Sequence, residues 1–212
     1  ETKYTAVDGI DDLKQAVIDK FKNDNNLEYE KGNISIAPGG KSIIFNAILS
    51  TINPGDEVII PAPYWVSYPD IVKLAGGNPV IIETSPNNNF KISPDDLEKN
   101  INEKTKWLFI NSPSNPTGQV YSKTELINLA EVIKKHKNLY ILSDDIYEYI
   151  RYQNNEHFHT IAELDEEIFS RTLTMNGVSK AYSMTGWRIG YCGGPVEIIS
   201  AMRKLMGQST SN

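Results

Sequence analysis

Trp107-Leu108-Phe109-Ile110, a turn-rich segment from Asn111 to Gly118, a helix opening at Ser122 and running to about Lys137, then Leu139-Tyr140-Ile141-Leu142: this run decides the fold. Two short, wholly apolar runs are what strands covered on both faces require. The amphipathic helix between them is the connection that lets the second strand run parallel to the first. The same alternation continues in both directions. Upstream, Asp11 or Asp12 is placed to cap a helix carrying Leu13, Ala16, Val17 and Phe21. Ile34-Ser35-Ile36 then reads as a strand, Ile43, Ile44, Ala47 and Ile48 as the face of a helix, and Val58-Ile59-Ile60 as a strand. A helix from about Val66 to Leu74 stops at Gly76-Gly77, Val80-Ile81-Ile82 is a strand, and Ser93-Pro94-Asp95 opens the next helix. Downstream come the strands Thr172-Leu173-Thr174-Met175 and Ile189-Gly190-Tyr191, and a helix after Pro195. Gln153 to His159 reads as a polar surface loop, Asn87-Asn88-Asn89 as a turn, and no internal repeat is visible. The expectation is an α/β fold, a mostly parallel sheet with helices on both faces.

Composition bounds the function. Of 212 residues, 40% are hydrophobic and 23% charged, which suits one large domain with a filled core. A net charge of −6 argues against a surface built for nucleic acid. The basic run Lys134, Lys135, His136, Lys137 falls late in a helix, where it complements the helix dipole. Cys192 is the sole cysteine, which rules out a disulfide framework and a cysteine-based metal site. With no long apolar run and no signal-peptide pattern, a reducing, cytoplasmic setting is expected and no membrane is implied. Glu1 and the tail Gln208-Ser209-Thr210-Ser211-Asn212 both read as cuts through a longer polypeptide.

In parallel sheets, ligands sit beyond the carboxyl ends of the strands, and five such segments carry unusual residues. Pro38-Gly39-Gly40-Lys41 is a glycine turn entering a helix, whose bare amides suit an anion. A P-loop would need glycine where Ser35 stands, so a nucleotide is not implied. Trp65, held among Pro61, Pro63 and Tyr68, is either a stacker for a planar ring or a core aromatic. The loop Asn111 to Gly118 is stiff enough to aim Asn115 as a donor. Ser143-Asp144-Asp145-Ile146-Tyr147 ends an apolar strand, where a carboxylate needs a cation or hydrogen bonds. Asp144 is suited to a protonated ring nitrogen and Tyr147 to a ring oxygen. In Ser179-Lys180-Ala181-Tyr182, Lys180 is surrounded by small and apolar residues near Arg188, and burial is expected to lower its pKa and free the amine for Schiff-base chemistry. A metal site from His157 and His159 with nearby carboxylates is the alternative to a solvated loop, but their i, i+2 spacing gives no convincing third ligand, and no metal is expected.

An anion cup, a ring stacker, an oxygen donor, an acid and an amine suit one cofactor, pyridoxal 5'-phosphate. The Asn115-Pro116-Thr117-Gly118 loop, the Ser143-Asp144-Asp145-Ile146-Tyr147-Glu148 strand end and the block from Ser179 to Tyr191 together resemble the class I aminotransferases of pyridoxal-phosphate fold-type I, most closely the bacterial aspartate (aspartate/prephenate) group. The resemblance covers the whole chain. It implies a three-layer α/β/α large domain at 1–212, with an N-terminal segment and a C-terminal small domain lying elsewhere. It implies transamination between an amino acid and a 2-oxo acid through a Lys180 Schiff base, with Lys180 also moving the proton. Asp144 would pair with the ring nitrogen, Tyr147 and Asn115 with the ring oxygen, and Trp65 would stack on the ring. Gly39, Gly40, Lys41 and Arg188 would form the phosphate cup. Tyr4, in a Tyr-x-x-x-x-Gly segment, would reach the phosphate of a neighbouring subunit, making a homodimer with shared sites; otherwise it is a terminal aromatic.

Two departures stand out. Gly177 occupies the position, three before the lysine, where the family often has a phosphate-binding serine. The arginine that holds the substrate α-carboxylate belongs to the family's C-terminal small domain, outside this chain. Another fold-type I enzyme (decarboxylase, lyase or synthase) would keep every group named above. So would a cofactor-sensing regulatory module, which an upstream DNA-binding helix-turn-helix would mark.

Overall fold

A computed structural model describes residues 2–152 and 157–210. In chain order the elements are α1 (Asp11–Asn25), β1 (Ile34–Ala37), α2 (Gly40–Thr51), β2 (Glu57–Pro61), α3 (Ser67–Leu74), β3 (Asn78–Ile82) and α4 (Pro94–Asn100). They continue as β4 (Thr105–Asn111), α5 (Lys123–Lys134), β5 (Tyr140–Asp144), α6 (Glu166–Phe169), β6 (Thr172–Gly177), α7 (Val178–Ala181), β7 (Gly190–Gly193) and α8 (Val196–Ser209). Seven strands form one sheet in the order β1-β7-β6-β5-β4-β2-β3. All neighbours are parallel except β7, which is antiparallel to both β1 and β6.

The strand period of two divides the apolar side chains between two cores. Val58, Ile60, Trp107 and Phe109 pack on one face against Ile44, Ile48, Val72, Met202 and Met206 of α2, α3 and α8. Ile59, Leu108, Ile110 and Ile141 face the other side, against Leu97 of α4, Leu126, Leu129 and Ile133 of α5, and Ile168 of α6. Trp107 is wholly buried and its indole N–H donates to Thr51 Oγ1 at 2.9 Å, so its one polar atom is satisfied. A third cluster holds α1 to the β1 edge through Val17, Phe21, Leu27, Ile34, Ile36 and Tyr191. This is the expected three-layer α/β/α architecture. β3 carries Pro79, and a sheet edge is where a strand tolerates a missing donor.

Helix entries follow their capping chemistry where a serine leads. Ser122 accepts from the Glu125 amide at 3.3 Å while Glu125 accepts from the Ser122 amide at 2.7 Å, and Ser93 and Asp96 repeat the arrangement at α4. Three local expectations are corrected. α1 is preceded by Ile10 with no side-chain cap, and Asp11 and Asp12 lie in its first turn, where they meet the dipole directly. Its buried stripe includes Lys14, paired with Asp8 at 2.6 Å, whereas Ala16 faces solvent. α5 ends at Lys134, so Lys135, His136 and Lys137 lie beyond the helix; Lys134 pairs with Glu131 and Asp165, and Lys135 with Glu98. Of the expected polar loop, residues 153–156 lie outside the described residues, as does Ser211-Asn212 of the tail. Among the described residues no helix is long and apolar enough to cross a membrane.

Candidate active site

Parallel register brings the chemistry together. It sets Asn111 at the end of β4 opposite Asp144 at the end of β5, and Asp144 opposite Met175 of β6. A cavity of about 290 Å³ opens over this row, lined by Gly40, Lys41, Trp65, Asn115, Asp144, Tyr147, Lys180 and Arg188 among others. Residues from positions 40 to 188 thus meet in one place, at the end of the sheet where parallel folds put ligands.

Asp144 is 4% exposed. Tyr68 Oη donates to its Oδ2 at 2.5 Å, and the Ile146 amide reaches Oδ1 at 3.4 Å. Burial pushes its carboxyl up to about 6, with the Tyr68 and Ile146 hydrogen bonds pulling the other way. Burial and the Asp144 charge together raise the Tyr68 hydroxyl well above the ordinary tyrosine value, so it keeps its proton and acts as the donor. Asn111 ties the floor to the neighbouring loop: its Nδ2 donates to the Asp144 carbonyl at 2.8 Å and its Oδ1 accepts from the Asn115 amide at 2.7 Å. Trp65 meets Tyr68 edge-on with centroids 5.4 Å apart, while Lys41 Nζ lies 5.0 Å from the Trp65 ring centre.

The opposite wall is the N-terminus of α2. Gly39 precedes it at φ 89°, the left-handed region that only glycine enters without strain. A Cβ there would lie 2.1 Å from Arg188 Nη2, so the missing side chain is what admits the guanidinium. Gly190 is equally constrained, since a Cβ on it would fall 2.4 Å from the Gly40 nitrogen. Arg188 donates to the carbonyls of Thr185 at 3.0 Å and Pro38 at 3.3 Å, which fixes its cation beside the free amides of α2.

Lys180, in the short helix α7, differs from expectation. The residue is exposed, so the burial expected to act on its amine is absent. Its Nζ sits 5.8 Å from the Tyr147 ring centre at the cavity wall.

The sequence pattern of the class I and II aminotransferases matches residues 1–212. The chain belongs to that family. It is 54% identical over 211 residues to an aspartate/prephenate aminotransferase of Cereibacter sphaeroides, covering 100% of this chain and 52% of the relative. A second relative of that name, from Nitrosomonas europaea, is 56% identical and covered to 53%. Among solved structures, an aspartate aminotransferase from Rhizobium meliloti superposes with a TM-score of 0.97 at 49% identity, over 99% of this chain and 52% of that one. The Thermus thermophilus aspartate aminotransferase with maleate gives 0.93 at 42% identity, over 99% and 54%. The chain spans about half the length of the curated relatives it matches.

Aminotransferases of this family imply pyridoxal phosphate, and two features of the cavity fit that group. Asp144 is a buried carboxylate that gains most from a cationic partner such as a protonated ring nitrogen. The Gly39–Arg188 approach leaves bare amides and a guanidinium where a phosphate can sit. Tyr4 is 95% exposed and does not line the cavity of its own chain. Gly177 lies too close to the Ile189 carbonyl for a side chain, its Cβ falling at 2.9 Å, whereas Ser179 and Thr185 line the cavity.

Sequence reasoning passed over Tyr68 and Asn111, although both stand in the segments it singled out. No local pattern marks a tyrosine as the partner of an aspartate 76 positions away. It also missed a third group beside His157 and His159: Glu163 lies against both.

Proposed function

We propose that this chain is the cofactor-binding large domain of a pyridoxal-phosphate-dependent aminotransferase, one that moves an amino group between aspartate or glutamate and a 2-oxo acid. The observation that carries the reading is the convergence of Asp144, Lys180, Arg188 and the α2 N-terminus on one cavity. When bound, pyridoxal phosphate supplies an electron sink that stabilises negative charge on the substrate carbon. Asp144 holds the ring nitrogen in its protonated form, with Tyr68 keeping the carboxylate ionised and in place. Asn115 and Tyr147 donate to the ring oxygen, and Trp65 covers one ring face and excludes water. Gly39, Gly40, Lys41 and Arg188 hold the phosphate. Lys180, at the cavity wall, would anchor the cofactor and would hold or move the proton exchanged at the substrate carbon.

The chain spans about half the length of its curated relatives, and the family resemblance places outside it an arginine that would clamp the substrate carboxylate and fix the reacting geometry. Tyr4 reaches the phosphate of a second subunit, so the working unit is a homodimer, and its place is the cytoplasm. Tyr4 and Trp187 are large aromatics left exposed on this chain, available for contact with a second subunit.

Borohydride reduction of the cofactor-loaded full-length protein, followed by peptide mapping, tests the assignment. The pyridoxyl group is expected on Lys180, with Lys41 unlabelled. Specific labelling of another lysine with Lys180 untouched overturns it.

A further inference from the structure

On the far side of β5 from the cavity lining, the chain brings two imidazoles and a carboxylate together. We propose that His157, His159 and Glu163 form a binding site for one divalent transition-metal ion of the zinc class, separate from the cofactor site. The three ligating atoms lie within 4.8 Å of one another. His157 Nε2 is 3.4 Å from Glu163 Oε2, and His159 Nδ1 is hydrogen-bonded to Glu163 Oε1. Tetrahedral zinc, with bonds of about 2.0–2.2 Å, sets ligand atoms roughly 3.3–3.5 Å apart. The His157–Glu163 separation already matches one edge of that tetrahedron.

Local structure explains why the groups converge. Phe158 is buried, which turns the histidines on either side of it toward a common partner. Thr160 is extended and a 3-10 turn, Ile161–Glu163, follows it, bringing Glu163 back beneath His159. The loop is anchored through Thr160 Oγ1, 3.2 Å from Ser143 Oγ of β5.

The chemistry favours an ion. The Glu163 side chain is 7% exposed, and the partners of its carboxylate are imidazole nitrogens. A carboxylate so far removed from water calls for a positively charged partner, which a metal ion held by the two imidazoles would supply. Two nitrogens and a carboxylate, with no thiolate, select borderline ions such as zinc, cobalt or nickel over calcium or magnesium, which prefer all-oxygen shells. His157 is exposed, which leaves the fourth position to water. Lys91, Lys123 and Arg151 line the adjoining cleft and oppose a cation. Lys91 is neutralised by Glu125 at 2.8 Å, and the Arg151 guanidinium lies 5.5 Å from the Phe158 ring centre.

Titration of the tag-free, full-length protein with zinc chloride, followed by calorimetry, and with cobalt chloride, followed by visible absorption, tests the site. One equivalent per chain is expected, with cobalt giving the intense bands of a tetrahedral site. His159→Ala and Glu163→Gln, the latter preserving shape, are each expected to weaken binding at least tenfold. His136→Asn, at the other histidine–glutamate contact, is expected to leave it unchanged. Zinc is also expected to raise the melting temperature of the wild type and not of Glu163→Gln. No uptake by the wild type, or uptake that survives both substitutions, overturns the proposal.

Discussion

Tyr68→Phe isolates one hydrogen bond. The phenylalanine ring keeps the edge contacts to Trp65 and Phe109, whose centroids lie 5.4 and 5.1 Å away. What is lost is the 2.5 Å donor to Asp144 Oδ2. A hydrogen bond to a charged group contributes about 1.5–3 kcal/mol, and one pKa unit corresponds to about 1.4 kcal/mol. The neutral acid loses less than the carboxylate does, so the substitution favours protonation by about one to two units. Asp144, which burial holds at about 6, is therefore expected to titrate at roughly 7–8 in the variant. The assay is carboxyl-carbon nuclear magnetic resonance of the cofactor-free protein labelled in aspartate, titrated from about pH 4 to about pH 9. Asp144→Asn assigns the resonance. In the cofactor-loaded enzyme the same change leaves the ring nitrogen less firmly protonated, lowering kcat more than it alters KM. A variant midpoint within half a unit of the wild type refutes the claim that Tyr68 keeps Asp144 ionised.

Asp145 is buried beside Asp144, accepts from Ser143 Oγ at 2.7 Å, and is raised by that burial from 3.8 to about 8, with Glu148 adding to the rise and Lys20 opposing it. The folded chain then keeps a proton that the unfolded chain releases, so stability of the cofactor-free protein falls as pH rises through that window. Asp145→Asn is expected to flatten the fall between about pH 6 and about pH 8 in urea midpoints; an unchanged slope shows that the group does not hold the proton. Gly39→Ala places a methyl 2.1 Å from Arg188 Nη2 at φ 89°. It is expected to weaken pyridoxal phosphate binding about tenfold or more by absorbance titration, with a stability loss of about 1–3 kcal/mol. Unchanged affinity shows that the Gly39–Arg188 approach does not hold phosphate.

The layers were legible because strands buried on both faces leave a local signature: Trp107 to Ile110 and Tyr140 to Leu142 are apolar at every position, and serine caps announced α4 and α5. The segments at strand ends were legible too, because turn formers and lone polar groups interrupt an apolar run there. Strand order was not, since pairing joins residues far apart in the chain. Only the folded sheet sets β5 between β4 and β6 and so lines up Asn111, Asp144 and Met175. For the same reason tertiary contact alone made Tyr68 the partner of Asp144 and buried Lys14 on Asp8. It left Lys180 exposed where composition suggested cover. It also brought Glu163 to two histidines whose spacing by itself implied no ligand set. A sequence specifies which side chains prefer burial and which backbones prefer to turn; which buried polar group finds which donor is decided by the packing of elements that are not neighbours in the chain.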